Sequence, residues 1–350
     1  MSDADAYAMN IAYVVLFAIF VAFFFIAVYI HTVVHEFGHL FGGLLSGCKF
    51  ISFRVYKMMF IFENGALSRK RHTVGGAGGH CMMLPPERAD GEFPFVFFLL
   101  SGSLMNFLAC VIFYALSRVI VVENVPYITL FFHCLIFVGL PIGLINIMPI
   151  KMKKNANDGY SAYLLKKHMD ARQTYRDTLR IVSGMTQGIR FKDMPADWFP
   201  APESIDNTQT AEAALRRFDL MMDNHRYAEA REIGEKTLEE GRNVLSLQRY
   251  ELACELLFIE IIGERRQDVM ENYLTGDLLK HIKSYKYHLS KHRLVYAYEK
   301  LISRDSKKAS AALKKFNKLL SRYPYAGEME HERELIAVVD SAVRIAMSTG

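Results

Sequence analysis

Residues 11–30 read IAYVVLFAIFVAFFFIAVYI, and residues 31–47 continue without a break as HTVVHEFGHLFGGLLSG. The first 20 carry no charged side chain, and a helix of that length crosses a hydrocarbon core of about 30 Å. A secretory signal would open with cations and close at a small-residue cleavage site. Here Asp3 and Asp5 precede the stretch and no Lys or Arg does, so it reads as a retained transmembrane span. The apolar pattern runs over residues 8–46, which as one helix is about 58 Å long, nearly twice the core thickness. Such a helix tilts, bends or projects. Within it His35, Glu36 and His39 spell HExxH, which on a helix sets two imidazoles on one face, one turn apart, beside a carboxylate. That is half of a zinc site together with a general base. A carboxylate at this depth is costly unless it pairs or meets water, which makes Glu36 a functional candidate by position. The competing reading leaves Glu36 and the histidines solvated and inert at the cytoplasmic interface.

Outward from this helix, two more spans read clearly over 94–117 and 127–150, separated by a short turn with Asn124 and Pro126. Residues 1–150 hold 8 of the 42 Lys+Arg and 8 of the 37 Asp+Glu; the rest of the 350-residue chain is charge-rich. This split excludes a single soluble globule, a disordered chain and a fibrous repeat. The net +5 lies in the second half, where acids dilute it, so no nucleic-acid partner is expected. The five cysteines form no CxxC pair, which argues for reduced thiols over a disulfide framework. Cations crowd the 48–92 loop and come again after the third span, so the positive-inside rule puts the N-terminus outside and everything after residue 150 in the cytoplasm.

A zinc hydrolase needs a third protein ligand and an open position. His31, His72, His80, His133 and Asp158 have suitable chemistry. His31, His35 and His39 form a stripe, but each four-residue step drifts about 40°, so three ligands on one straight helix surround a metal badly. His31 then belongs beside the ligands or at the interface. His133 falls near the outer end of the third span. Asp158, just past its inner end, shares the depth of HExxH and is the best third ligand. Gly38, Gly42, Gly43 and Gly47 permit close helix packing. Residues 73–84, TVGGAGGHCMML, suggest a strand whose backbone is approached closely by another chain.

With VVHEFGH in the first span, SGSLMN at 101–106, NIMP at 146–149 and NDG at 157–159, the chain resembles the site-2 proteases, the intramembrane zinc endopeptidases, over residues 8–165. The resemblance implies one zinc ion held by His35, His39 and Asp158, with Glu36 as general base and Asn106 and Asn146 assisting substrate or oxyanion. It also implies a Gly-Gly strand in a membrane-associated β-hairpin that receives a transmembrane protein or peptide substrate. Two departures stand out. The Asn146 to Asp158 interval is about one helical turn longer than in the commonest family form, and Ser101 and Ser103 stand where the family often has a Gly-Pro pair.

After Gly159 the sequence reads as an amphipathic helix to about Arg180, then as a linker holding Pro195, Pro200, Pro202 and Trp198. Beyond 209 helix formers dominate. A helix with Leu215, Phe218 and Met222 ends near Asp223 and another starts at Tyr227; a similar pair recurs up to Pro324, resembling a tetratricopeptide unit and favouring an α-solenoid over a bundle.

The expected architecture is therefore a mainly α, polytopic membrane protein of three transmembrane helices with a small membrane-associated β-hairpin, plus a cytoplasmic α-helical repeat domain. Its parts are a transmembrane metalloprotease core (1–165), an amphipathic helix and Pro-rich linker (166–208) and the repeat domain (209–350). The expected activity is intramembrane zinc endopeptidase action near the cytoplasmic face of a bacterial plasma membrane, with a protein partner on the repeat domain. Two alternatives are a membrane-anchored cytoplasmic zinc peptidase with a glutamate third ligand among Glu63, Glu87 and Glu92, and a non-catalytic membrane receptor.

Overall fold

The computed structural model describes residues 3–63, 65–71, 78–87, 93–120, 126–151, 156–241, 244–284 and 287–348. The opening apolar run is a single helix, α1 (Asp3–Leu45), of 43 residues. It stops where Gly47 takes φ +80°, a left-handed conformation that glycine adopts without a Cβ clash. Helices α2 (Phe95–Val119) and α3 (Pro126–Ile147) pack against it. All three are long and apolar enough to cross a membrane. The third ends short of residue 150 because Pro149 bars helical geometry at the residue before it. A Cβ on Gly38 would lie 2.5 Å from the Ser101 carbonyl oxygen and 2.7 Å from Gly102 Cα, so the α1 and α2 backbones touch where the small residues meet.

Instead of the expected hairpin, the segment between α1 and α2 builds a four-stranded antiparallel sheet. Its strands are β1 (Lys49–Val55), β2 (Met58–Glu63), β3 (Ala66–Arg71) and β4 (Gly79–Leu84), in the order β3-β2-β1-β4. The signal for it is the Asn-Gly step at 64–65 between two strand-like runs, the dipeptide that two-residue hairpins favour; Glu63 and Ala66 pair across it. The Gly-rich stretch read as a strand contributes β4; residues 73–77 lie outside the described residues. The sheet lies along α1: Phe53 meets Phe37 with ring centroids 5.0 Å apart, and Tyr56 stacks on Tyr29 at 5.4 Å.

The amphipathic helix is two helices, α4 (Asp158–Lys167) and α5 (Met169–Thr186), broken at His168 in extended geometry. The expected loose linker is instead part of the packed structure. Ala171 and Tyr175 at the start of α5 pack with Met83, Phe95 and Phe98 of the N-terminal half. At its end Ile181 and Met185, and then Phe191, Met194 and Phe199, enter the largest core of the C-terminal half. Helix α5 therefore joins the two halves through buried apolar surface.

That C-terminal half contains α6 (Thr208–Asp223), α7 (Tyr227–Glu240), α8 (Ser246–Ile262), α9 (Gln267–Tyr273), α10 (Gly276–Ser284), α11 (Leu289–Ala297), α12 (Ser306–Leu320) and α13 (Ala326–Ser348). The pair α6–α7 and helix α12 stand where the sequence puts them; the helix before α12 starts earlier than expected, as α11 at Leu289, and runs on through a π-helical turn at Tyr298–Ile302. The solenoid expectation needs correction. In a solenoid each repeat meets only its neighbours, whereas α13 returns to α5, α8 and α11 around one shared core, which closes the helices into a bundle. Arg190 ties this closure, reaching Asp223 at 2.5 Å and Glu334 at 2.5 Å with its own side chain 4% exposed. Asp223 is buried at 1% and keeps His331 Nδ1 (2.9 Å) and Lys192 N (3.0 Å) as partners when Arg190 is gone, so Arg190→Met removes its closest cation without stranding it; we expect a loss of about 1–3 kcal/mol in chemical denaturation followed by circular dichroism. An unchanged midpoint would show that the pair adds nothing.

Candidate metal centre

The helical period carries His35 and His39 to one face of α1, and the start of α4 delivers the third group. His35 Nε2 lies 2.9 Å from Asp158 Oδ2, His39 Nε2 lies 3.4 Å from the same oxygen, and the two Nε2 atoms are 3.1 Å apart. A tetrahedral ion with protein donors at 2.0–2.2 Å separates those donors by about 3.3–3.6 Å, so this triangle is near the size a zinc ion requires. Among the described residues it is the group of three that can hold a metal ion. Burial raises the energy of the Asp158 charge, but hydrogen bonds from His35 and His39, when they carry protons on Nε2, outweigh it and hold the carboxyl well below the usual range; a metal would take the place of those protons. It is ionised at neutral pH, as a ligand must be.

Asp158 reaches this place because of Asn157, whose role has no distinct signal in the sequence. The Asn157 amide donates to Ile145 O (2.6 Å) and Met148 O (2.7 Å), and its oxygen accepts from Ile150 N (3.2 Å) and Tyr160 N (2.9 Å). One side chain thus closes the end of α3 and caps α4. The longer Asn146 to Asp158 interval is absorbed where Lys151 and Ala156 pair as an isolated bridge, which brings the chain back to where it left.

Behind the ligands, His39 Nδ1 donates to Phe98 O at 3.1 Å, leaving its Nε2 lone pair for a metal. Asn106, fully buried, lies with its amide between His35 Nδ1 (3.2 Å) and His31 Nδ1 (3.1 Å), and His31 Nε2 is 2.9 Å from Leu135 O. A neutral His31 that donates to Leu135 has only an acceptor left at Nδ1. A His35 that offers Nε2 to a metal must donate from its own Nδ1. The structure places Asn106 Oδ1 at His31 Nδ1 and Nδ2 at His35 Nδ1; both demands are met when the amide is turned over, so that NH₂ faces His31 and oxygen faces His35. Removing it in Asn106→Ala should lower zinc affinity about 10–100-fold in competition with a chelator while helix content stays unchanged. Native affinity would show that the imidazole holds its orientation without it.

Glu36, 6% exposed, lies against β4: a Cβ on Gly79 would sit 2.5 Å from Glu36 Oε1. A cleft of about 400 Å³ joins His35, Glu36, His39 and Asp158 to Gly79, Asn146 and Tyr175. Asn146 lines it while donating to Ile142 O at 3.0 Å. Tyr175 comes from α5, a contribution with no sequence signal. Of the other candidate ligands, His80 lines the cleft but is held by Arg54 Nε at 3.2 Å, His133 is exposed, and His72 lies outside the described residues. No family model matches this chain, and no curated protein or solved structure matches it either.

Proposed function

We propose that this protein is an intramembrane zinc endopeptidase of the site-2 protease kind, with one zinc per chain, cutting a transmembrane protein or peptide near the cytoplasmic face of a bacterial plasma membrane. The observation that carries the reading is the convergence of His35, His39 and Asp158 beside Glu36 on helices long and apolar enough to span a bilayer. Two imidazoles and a carboxylate with space alongside are the donor set of a catalytic rather than a structural zinc site. When bound there, zinc supplies Lewis acidity toward a scissile carbonyl and toward water. Glu36 takes the proton of the attacking water and returns it to the leaving amine. Asn106 and His31 keep His35 turned toward the metal, and Asn146 stands in the cleft to support the developing oxyanion. A substrate helix hides its carbonyls in its own hydrogen bonds, so it has to open first; β4, at the sheet edge beside the cleft, can hold the opened segment by strand addition.

The N-terminus lies outside and the helical bundle in the cytoplasm, in line with the distribution of cations. A peptidase with a glutamate third ligand is less well supported: Glu63 pairs with Lys70, Glu87 lies exposed beside Arg180, and Glu92 is outside the described residues. The ligand assignment is tested by metal analysis. Purified protein in detergent should carry about one zinc per chain, and Asp158→Ala should lose most of it. Full retention by that variant would overturn the ligand set, and with it the non-structural reading of Asp158.

A further inference from the structure

A second cleft, of about 1080 Å³, opens between the tip of the sheet and the helices α10 to α12. Lys57 and Arg71 line it from the sheet, Lys283 from α10, and Lys315, Lys318 and Arg322 from α12 and the turn after it. All six are exposed, and among the described residues none of them makes a salt bridge. Their summed charge exceeds the formal net +5 of the whole chain, so the rest of the protein is close to neutral. Lys291 and Lys308 line the cleft as well, against a single acidic lining residue among the described residues, Glu299, so cations still dominate it; gathering these like charges around one cavity opposes folding, and an anion in the cleft relieves that repulsion.

We propose that this cleft binds an acidic, partly apolar segment of a partner protein. Three features select this occupant. The cations are spread over both walls of a cavity far larger than one phosphate group. Lys315 and Lys318 stand three residues apart on α12, about 4.5 Å along the helix, and Arg322 follows in the turn after it, a succession that suits an elongated chain of charges. Between the cations, Ile282, Val295, Ala312 and Leu319 offer apolar surface that a sugar-phosphate backbone cannot use and that aliphatic side chains can. Four of the six cations are lysines, flexible point charges suited to carboxylates in varied positions, not rigid forks built for one phosphate. Because the walls belong to the sheet and to the helical bundle, a bound segment fastens one to the other. The inference stands on the cleft alone and not on the metal centre, so either can fail without the other.

The test is fluorescence anisotropy on the full-length protein in detergent, with a labelled 16-residue peptide built on a Glu-Leu-Ala-Glu repeat as the probe. Binding should weaken steeply with salt, and K315E/R322E on one wall and K57E/R71E on the other should each lower affinity about tenfold or more at unchanged helix content. Should one pair disturb folding, the other wall answers the same question. Native-like affinity in a folded pair variant would overturn the proposal. So would equal binding of a peptide with Ser in place of Leu, or equal and equally charge-dependent binding of a 16-residue oligothymidylate, which would make the cleft a general polyanion site.

Discussion

Glu36→Gln should leave the protein folded and loaded with zinc while cleavage of a membrane substrate falls about 10³-fold. Glutamine preserves the shape of a side chain that is 6% exposed and wedged against Gly79, so neither packing nor the ligand triangle is disturbed. What disappears is the proton acceptor. Metal analysis and circular dichroism check the first half of the expectation, and cleavage of a tagged transmembrane peptide in detergent checks the second. Activity within a few-fold of native, with zinc retained, would remove Glu36 as the general base, whereas no cleavage by the native zinc-loaded protein would end the hydrolase reading and revive the receptor alternative. Loss of both zinc and activity would say instead that Glu36 supports the ligands.

Gly102→Ala should abolish stoichiometric zinc binding, although the residue touches no substrate and bears no charge. A Cβ at this position would lie 2.6 Å from His39 Nε2, 2.7 Å from His35 Cε1 and 2.8 Å from His35 Nε2. The obstacle is short and rigid, since it belongs to the α2 backbone where α2 crosses α1. Either the imidazoles swing away from Asp158 or the helices part, and in both cases the triangle opens. Ser103→Ala, one position along the same helix, is the control: the Ser103 hydroxyl is buried and has no hydrogen-bond partner among the described residues, so its removal should leave zinc content unchanged. Native zinc content in Gly102→Ala would mean that His35 and His39 bind metal from a different arrangement.

These two predictions draw on different levels of information. Glu36 was legible as a candidate because HExxH combines helical period with depth in an apolar run. Gly102 was read only as part of the SGSLMN stretch; the contact that makes it matter joins helices whose residues are more than sixty positions apart. The same holds for Asn106, read as a group assisting substrate, whose amide is here engaged by His31 and His35. The apparent linker misled for a related reason. Prolines at 195, 200 and 202 describe local backbone stiffness, while the burial of Phe191, Met194 and Phe199 depends on what α6, α8 and α13 present to them.

By itself, the sequence determined the features that depend on composition and period over one element. These are the three apolar helices, the pairing of His35 with His39 on one face, the choice of Asp158 as their companion, and the starts and stops of α6 and α7. Each arises from transfer of apolar side chains out of water or from the 3.6-residue repeat, which near neighbours in the chain suffice to specify. Only the tertiary structure decided the four-stranded sheet, the closing of the bundle by α13, the bridging role of α5, the Asn157 clamp and the basic cleft. Those depend on partners far apart in the chain: His35 and Asp158 meet across 123 positions and Arg190 and Glu334 across 144, and no local pattern records which surfaces will cover one another.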